Sequence, residues 1–326
     1  MNERPRDVRF EEALSVLKKA APAARQLISQ HALQPNSSTF AHIDPGLKAV
    51  HSQRVAGARA SHERSEAIPG VVLESLLLRA QMRSSESPDT HGWFDSASIS
   101  CRIVKTGEFD DYCGGVDFVL VFTRDDGTIL LALAIDTTLG GKAGQEEKLL
   151  PMIQEIRDGK KRPIEYFSDP EANIASGRLA DVAMFLGVFD PLHVAELESY
   201  RQREGDDALK GHPAQLVMLY EIMNQARVFR TIASEAHGED SAFAKKYDLV
   251  HRMISQILEE KLRRKEPWMQ WGADDAARRS LFGHLEQIAG PFEEAPTERP
   301  RVIAGATGRL TLVETKPKRK ILKQPE

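Results

Sequence analysis

The chain has 326 residues, of which 41% are hydrophobic and 28% charged, and its formal net charge is −4. This length and hydrophobic content allow one large domain or two small ones with a substantial core. The slightly acidic balance excludes a global positive field, so nucleic acid or an anionic membrane would have to be attracted by a local basic patch.

The cysteine content and the N-terminal residues indicate the compartment. Cys101 and Cys113 are the two cysteines of the chain, too few for a disulfide framework or a four-thiolate zinc site. Residues 1–20 carry charges throughout, and no run approaches the roughly 18 apolar residues of a membrane span. We therefore predict free thiols in a cytoplasmic protein that makes no membrane contact.

The first predicted region, residues 1–68, is helical and then loosely ordered. Apolar residues recur at helical spacing between Phe10 and Ala32, which predicts an amphipathic helix. From Gln34 to about Ile68 neither the helical nor the strand period is sustained. We expect a loosely ordered connection over that stretch.

The second predicted region, residues 69–190, centres on a hairpin. Residues 116–122 (VDFVLVF) and 129–135 (ILLALAI) are apolar runs joined by a turn that contains Asp126-Gly127. Asp-Gly between two such runs is a strong hairpin signal, so we predict an antiparallel pair. Both faces of each run are apolar, as in strands that are covered on both sides.

The elements around this hairpin predict a mixed α/β sheet. A helix with Glu74 and a strand at residues 99–104 precede the hairpin, and a helix at residues 145–157 follows it. Two more buried strands are predicted at residues 162–167 and 181–188, so helix and strand alternate.

The C-terminal half is predicted to be helical and then disordered. The third region, residues 191–289, contains helical periods at 212–236 and 241–264, which predict a helical hairpin and leave a homodimer through this extension open. In the fourth region, residues 290–326, Pro, Glu, Thr and Lys dominate up to a basic run at 316–320. This composition predicts a disordered basic tail.

Two carboxylates are the main functional signal. Asp117 begins one strand of the predicted hairpin and Asp136 ends the other, so the two residues should be neighbours. Two carboxylates can hold a hard cation such as Mg²⁺ or Mn²⁺. Without a compensating positive charge, two neighbouring carboxylates beside a buried hairpin would cost free energy. The alternative is that each aspartate merely caps a turn.

The order of elements resembles the core of the PD-(D/E)XK nuclease superfamily. It runs helix with Glu74, strand, strand with Asp117, strand ending in Asp136, helix with Lys148, strand. The resemblance implies a restriction-endonuclease-like fold over about residues 69–188. It also implies that Asp117 and Asp136 hold Mg²⁺, with Glu74 as the helix glutamate of the site.

The sequence departs from that superfamily at one position. Thr138 stands where the pattern has a lysine. Some members carry the lysine on the following helix, and Lys148 lies at a suitable place there, with Lys142 as a second candidate. The alternative for Lys148 is a solvated helix lysine, and for Glu74 an acid that favours the start of a helix. Asp110 and Asp111 are either outer-sphere ligands or part of a solvated acidic turn.

These features predict a Mg²⁺-dependent endonuclease that hydrolyses phosphodiester bonds in DNA. In that mechanism Asp117 and Asp136 hold the metal, and Lys148 steadies the attacking water or the phosphate. The rival hypothesis is a catalytically inactive nuclease-like domain that acts as a nucleic-acid or protein interaction module. Thr138 in the lysine position favours the rival.

Overall fold

The structure, a computed structural model, describes residues 4–33, 38–41, 43–62, 68–82, 92–124, 126–139, 142–169, 174–180, 182–263, 301–304 and 310–313. The chain divides into two compact units, Met1–Leu285 and Glu286–Glu326. The first three predicted regions lie together in the first unit, apart from the end of the third.

The helices and strands follow the chain in this order. The helices are α1 Arg4–His31, α2 Pro45–His62, α3 Ile68–Gln81, α4 Glu108–Tyr112, α5 Lys142–Arg157, α6 Pro191–Glu204, α7 Asp206–Lys210, α8 Ala214–His237 and α9 Ala242–Arg263. The strands are β1 Ile99–Lys105, β2 Phe118–Arg124, β3 Ile129–Leu139, β4 Ile164–Asp169, β5 Ile174–Leu179, β6 Ala183–Phe189, β7 Arg301–Ala304 and β8 Leu310–Val313.

A four-stranded mixed sheet forms the centre of the first unit. Its strand order is β1-β2-β3-β6, with antiparallel β1–β2 and β2–β3 pairs and a parallel β3–β6 pair. The predicted hairpin and the mixed α/β class are confirmed. A parallel pair needs a long crossover, and here the chain supplies α5 between β3 and β6.

Burial explains the apolar runs of β2 and β6, whereas the first half of β3 is less covered than predicted, with Ile129 exposed and residues 130–132 half-buried. Every residue of β6 is buried, and so are Phe118–Phe122 in β2. Val188 and Leu186 of β6 find partners in α8: the Leu186 N–H donates to Gln225 Oε1 at 2.9 Å, and Gln225 Nε2 donates to the Leu186 carbonyl at 2.7 Å. The Val188 N–H donates to Glu221 Oε2 at 3.3 Å. Side chains of α8 thus satisfy main-chain groups of β6.

The predicted C-terminal helical hairpin is confirmed as α8 and α9. An aromatic cluster joins it to the sheet, because the rings of Phe185, Phe229 and Tyr247 lie with centroids 5.5–6.0 Å apart. Such pairs add to the energy of burial. Helices α6 and α7 lie in the same region that was predicted to be helical, although no helical period was identified at their residues.

Two predictions for the core were wrong in part. Residues 34–68 were expected to be a loosely ordered connection, but α2 forms there because His51 and Val55 are buried against other elements. Residues 162–167 were expected to be a strand of the central sheet. Instead β4 pairs with β5 in a separate two-stranded sheet, with β4 still buried.

The second unit also differs from the prediction. Residues 290–326 were expected to be a disordered tail, but β7 and β8 form an antiparallel pair in which Arg301 lies opposite Val313. Their apolar and β-branched residues favour strands despite the polar composition around them. The basic run at residues 316–320 lies outside the described residues.

The structure describes both cysteines and the helices that could have crossed a membrane. Cys101 is buried, Cys113 is exposed, and both are free thiols, as predicted. Among the helices of the described ranges, none is both long and apolar enough to cross a bilayer.

Candidate metal centre

Asp117 and Asp136 lie next to each other where β2 begins, but Asp136 does not end its strand as predicted, because β3 continues to Leu139 and pairs there with β6. The Asp117 N–H donates to the Ile135 carbonyl at 2.9 Å, which continues the β2–β3 ladder by one residue. Asp117 Oδ2 accepts hydrogen bonds from the backbone N–H of Thr137 at 2.5 Å and from its hydroxyl at 2.6 Å. The predicted adjacency is therefore present, and Thr137 fixes the Asp117 carboxylate.

Lys148 reaches the same end of the sheet from α5. Its Nζ lies 2.5 Å from Asp136 Oδ1 and donates to the Thr137 carbonyl at 2.7 Å. The side chain is 36% exposed, so its ammonium lies at the boundary between the buried strand ends and solvent. Lys148 thus contacts Asp136, as predicted, whereas Thr138 lies on β3. The side chain of Lys142 falls outside the described residues.

Glu74 joins a second group of acids. Ligand oxygens of Glu74, Asp111 and Asp117 all lie within 4.8 Å of one another, so Asp117 belongs to this group as well as to the pair with Asp136. Glu74 comes from α3, Asp111 from α4 and Asp117 from the start of β2. Three elements that are distant in sequence therefore bring carboxylates to one place.

Lys105 at the end of β1 lies among these acids. Its Nζ is 3.0 Å from Glu74 Oε2 and 2.7 Å from Asp111 Oδ2, and only 2% of the side chain is exposed. Strand pairing explains the position, because Lys105 lies opposite Phe118, the neighbour of Asp117. Sequence reasoning missed Lys105, although a lysine at the end of a buried strand could have drawn attention to it.

The predicted acidic turn is a short helix that holds Asp111 in place. Asp110 is buried, with Oδ1 accepting from the Glu165 N–H at 2.8 Å and Oδ2 from the Tyr166 N–H at 3.0 Å. These bonds fasten α4 to β4. The expectation of a solvated turn was wrong for Asp110, because its carboxylate supplies acceptors that the start of β4 needs.

Burial and like charge strongly perturb the protonation of these acids. Burial, with a further contribution from Asp117, raises the pKa of Asp136 to about 7 despite the nearby Lys148. Burial also raises the pKa of Glu74 to about 8, which the Lys105 ammonium opposes. The two lysines therefore oppose the effect of burial on these two carboxylates without cancelling it.

The donor set fits a hard divalent cation. Glu74, Asp111 and Asp117 offer carboxylate oxygens, the ligands that Mg²⁺ and Mn²⁺ prefer over nitrogen or sulfur. Asp136 is the fourth acid of the neighbourhood, since its charge interacts with those of Asp117 and Asp111. The site could hold a metal, and Lys105 would share two of its acids.

Replacing Lys105 by methionine should destabilise the protein, because Glu74 and Asp111 would be left without a buried cation that contacts both. We expect a loss of about 2 kcal/mol or more in the free energy of unfolding in urea with EDTA present. Lys245→Met, at an exposed lysine, is the matched control and should change stability by less than about 0.5 kcal/mol. Equal losses in the two variants would contradict this role of Lys105.

The raised pKa of Asp136 predicts a pH dependence of stability in metal-free buffer. Between pH 3.8, the ordinary pKa of an aspartate, and about pH 7, the folded protein keeps a proton on Asp136 that the unfolded chain has released. The stability that this proton contributes to the folded state is thus complete at low pH and is lost as pH rises through that window. Asp136→Asn should flatten the decline by about 1.4 kcal/mol per pH unit.

Chemical unfolding at several pH values measures that difference. Asp240→Asn, at a fully exposed aspartate, should leave the slope of wild type unchanged. A slope in Asp136→Asn equal to that of wild type would show that Asp136 titrates at its ordinary pKa.

Three comparisons with known proteins give no external guide to this site. No family model, no curated protein and no solved structure matched the chain. The function of the cluster therefore rests on its own chemistry: four acids from four segments of the chain, Lys105 at the end of β1 and Lys148 on α5.

Proposed function

We propose that this chain is a Mg²⁺-dependent endonuclease that hydrolyses phosphodiester bonds in DNA. The observation that carries the proposal is the convergence of three groups where β2 begins beside β3. Lys148 Nζ lies 2.5 Å from Asp136 Oδ1, and Asp117 lies across the ladder from Asp136. An enzyme of this kind requires two acids and a lysine within a few ångströms, whereas a domain that only binds does not.

The topology supports the same proposal. A helix with Glu74 precedes three antiparallel strands, and α5 crosses over to β6, which lies parallel to β3. This order is the one on which the resemblance to the PD-(D/E)XK nucleases rests, with Lys148 on the helix in place of a lysine at Thr138. A cytoplasmic setting and DNA as the partner belong to the proposal.

The acids would hold the cation and fix its position. Thr137 donates two hydrogen bonds to Asp117 Oδ2, so that carboxylate is preorganised before any ligand arrives. Asp136 is anchored from the other side by Lys148. When bound, Mg²⁺ supplies a Lewis acid that lowers the pKa of a water and offsets charge on the phosphoryl oxygens.

Lys148 would orient the nucleophile. Its ammonium is held between Asp136 Oδ1 and the Thr137 carbonyl, so its position is fixed within the strand ends while part of the side chain remains exposed. Asp136 and its other neighbours raise the pKa of Lys148 against the effect of burial, so the side chain is charged at neutral pH. A fixed ammonium can hold a water or a phosphate oxygen, but it does not act there as a general base.

A second candidate function is a nuclease-like domain without catalysis. Lys105 favours it, because its ammonium already contacts Glu74 and Asp111, two of the acids that a metal would use. In such a domain the lysines would serve as internal counter-ions. The two candidates differ in one property, which is binding of a divalent cation at Asp117.

The nuclease proposal predicts cleavage of DNA with Mg²⁺ or Mn²⁺ and loss of cleavage with EDTA. Asp117→Asn and Asp136→Asn should reduce turnover by at least about a hundredfold, since each removes charge from the metal site. Both variants should also bind Mn²⁺ more weakly in calorimetric titration. A wild-type protein that binds no divalent cation would support the second candidate.

Lys148→Met should lose most turnover while its Mn²⁺ affinity remains near that of wild type, because the ammonium acts on water or phosphate. Lys142→Met, on the same helix, is the matched control and should retain much of the activity. Thermal unfolding checks that both variants fold. Full activity in Lys148→Met would contradict the assignment, and a loss confined to Lys142→Met would transfer the role to that lysine.

A further inference from the structure

Lys105 lies where the acidic centre could hold a cation. Glu74, Asp111 and Asp117 have ligand oxygens within 4.8 Å of one another, and Lys105 Nζ is 3.0 Å from Glu74 Oε2 and 2.7 Å from Asp111 Oδ2. The ammonium also interacts with the charge of Asp117. A Mg²⁺ ion would need such oxygens at about 2.0–2.1 Å. The ammonium and a metal ion would therefore compete for this position.

Several contacts hold Lys105 in that position. Its side chain is buried, and its Nζ lies 5.1 Å from the centroid of the Phe118 ring, which belongs to the residue opposite it in the β1–β2 pair. An ammonium displaced from Glu74 and Asp111 would remain buried without the carboxylates that compensate its charge, which is costly. Lys148 differs, because its side chain is partly exposed to solvent. Lys105 is thus the fixed cation of the acidic centre.

Asp117 and Asp136 keep oxygens for a metal ion beside this lysine. Among the described residues, the hydrogen bonds to their carboxylates use Asp117 Oδ2 and Asp136 Oδ1. Asp117 Oδ1 and Asp136 Oδ2 remain as ligand atoms. Gly115 lies beside the second of these, where a Cβ would come to 3.6 Å from Asp136 Oδ2, so no side chain of this residue crowds the oxygen. A divalent cation can therefore bind here while Lys105 keeps its contacts.

We propose that Lys105 occupies the second cation position of the acidic centre, so that wild type binds one divalent ion, at Asp117 and Asp136. This inference rests on the proposed function for that one ion. Two-metal sites hold their ions about 3.5–4 Å apart, and here Asp117 belongs both to the pair with Asp136 and to the group around Lys105. With all four acids ionised, the carboxylates outnumber the two ammonium groups by two, so one divalent ion balances the formal charge.

Calorimetric titration with Mn²⁺ counts the ions bound per chain without measuring cleavage. We expect about one ion in wild type and about two in Lys105→Met, because Glu74 and Asp111 then offer carboxylates without an ammonium beside Asp117. Lys245→Met, at an exposed lysine, is the matched control and should bind as wild type does. Electron paramagnetic resonance gives a second readout, since two Mn²⁺ ions about 4 Å apart in Lys105→Met would be spin-coupled, whereas a single ion is not.

A second comparison leaves Lys105 unchanged and tests the inference if Lys105→Met does not fold. Because Glu74 contacts Lys105 rather than the ion, Glu74→Gln should bind Mn²⁺ within about threefold of the wild-type affinity, whereas Asp136→Asn should bind it at least about tenfold more weakly. Equal losses of affinity in these two variants would mean that the ion displaces Lys105, and they would overturn the inference.

The outcomes separate this inference from the proposed function. One ion in wild type and two in Lys105→Met support the inference, whether or not wild type cleaves DNA with Mg²⁺. Two ions in wild type, or one ion in a folded Lys105→Met, overturn it even if wild type is an active nuclease. A wild type that binds no Mn²⁺ overturns the inference together with the metal site on which it rests.

Discussion

The need to compensate buried negative charge shapes the centre of this protein. Asp117 lies just before β2 and Asp136 in the buried part of β3, and Glu74 and Asp111 approach the same place from helices. Carboxylates in such surroundings remain ionised only with cationic partners. Lys105 supplies one positive charge from β1 and Lys148 another from α5, so the surrounding elements are arranged around this balance.

Local patterns in the sequence were sufficient for the elements that build the site. The Asp-Gly turn and the two apolar runs predicted the β2–β3 hairpin, and antiparallel pairing of its strands then placed Asp117 beside Asp136. Helical spacing after Asp136 predicted α5, and with it the approach of Lys148 to the strand ends. Each of these steps depends on residues that are close in sequence or joined by one hairpin, which is why they could be predicted.

The other members of the cluster depend on contacts between distant segments. Lys105 meets Glu74 because β1 pairs with β2 while α3 packs on β1, and neither contact leaves a local pattern. Asp110 holds α4, and with it Asp111, in place by accepting from the N–H groups of Glu165 and Tyr166, which are more than fifty residues away. For the same reason α2 was missed, since His51 stacks on Phe109 and meets the Tyr166 hydroxyl only in the folded chain.

The hydrogen bonds between α8 and β6 protect an edge strand of the four-stranded sheet from pairing with a further strand. A strand at the border of a sheet offers free main-chain groups to any other strand, and this is a common route to aggregation. Here the Gln225 amide accepts from the Leu186 N–H and donates to the Leu186 carbonyl, so it makes the hydrogen bonds that a neighbouring strand would make. Glu221 extends this protection by accepting a hydrogen bond from the Val188 N–H. Because these side chains of α8 already satisfy main-chain groups of Leu186 and Val188, another strand would have to displace them before it could pair with this part of β6.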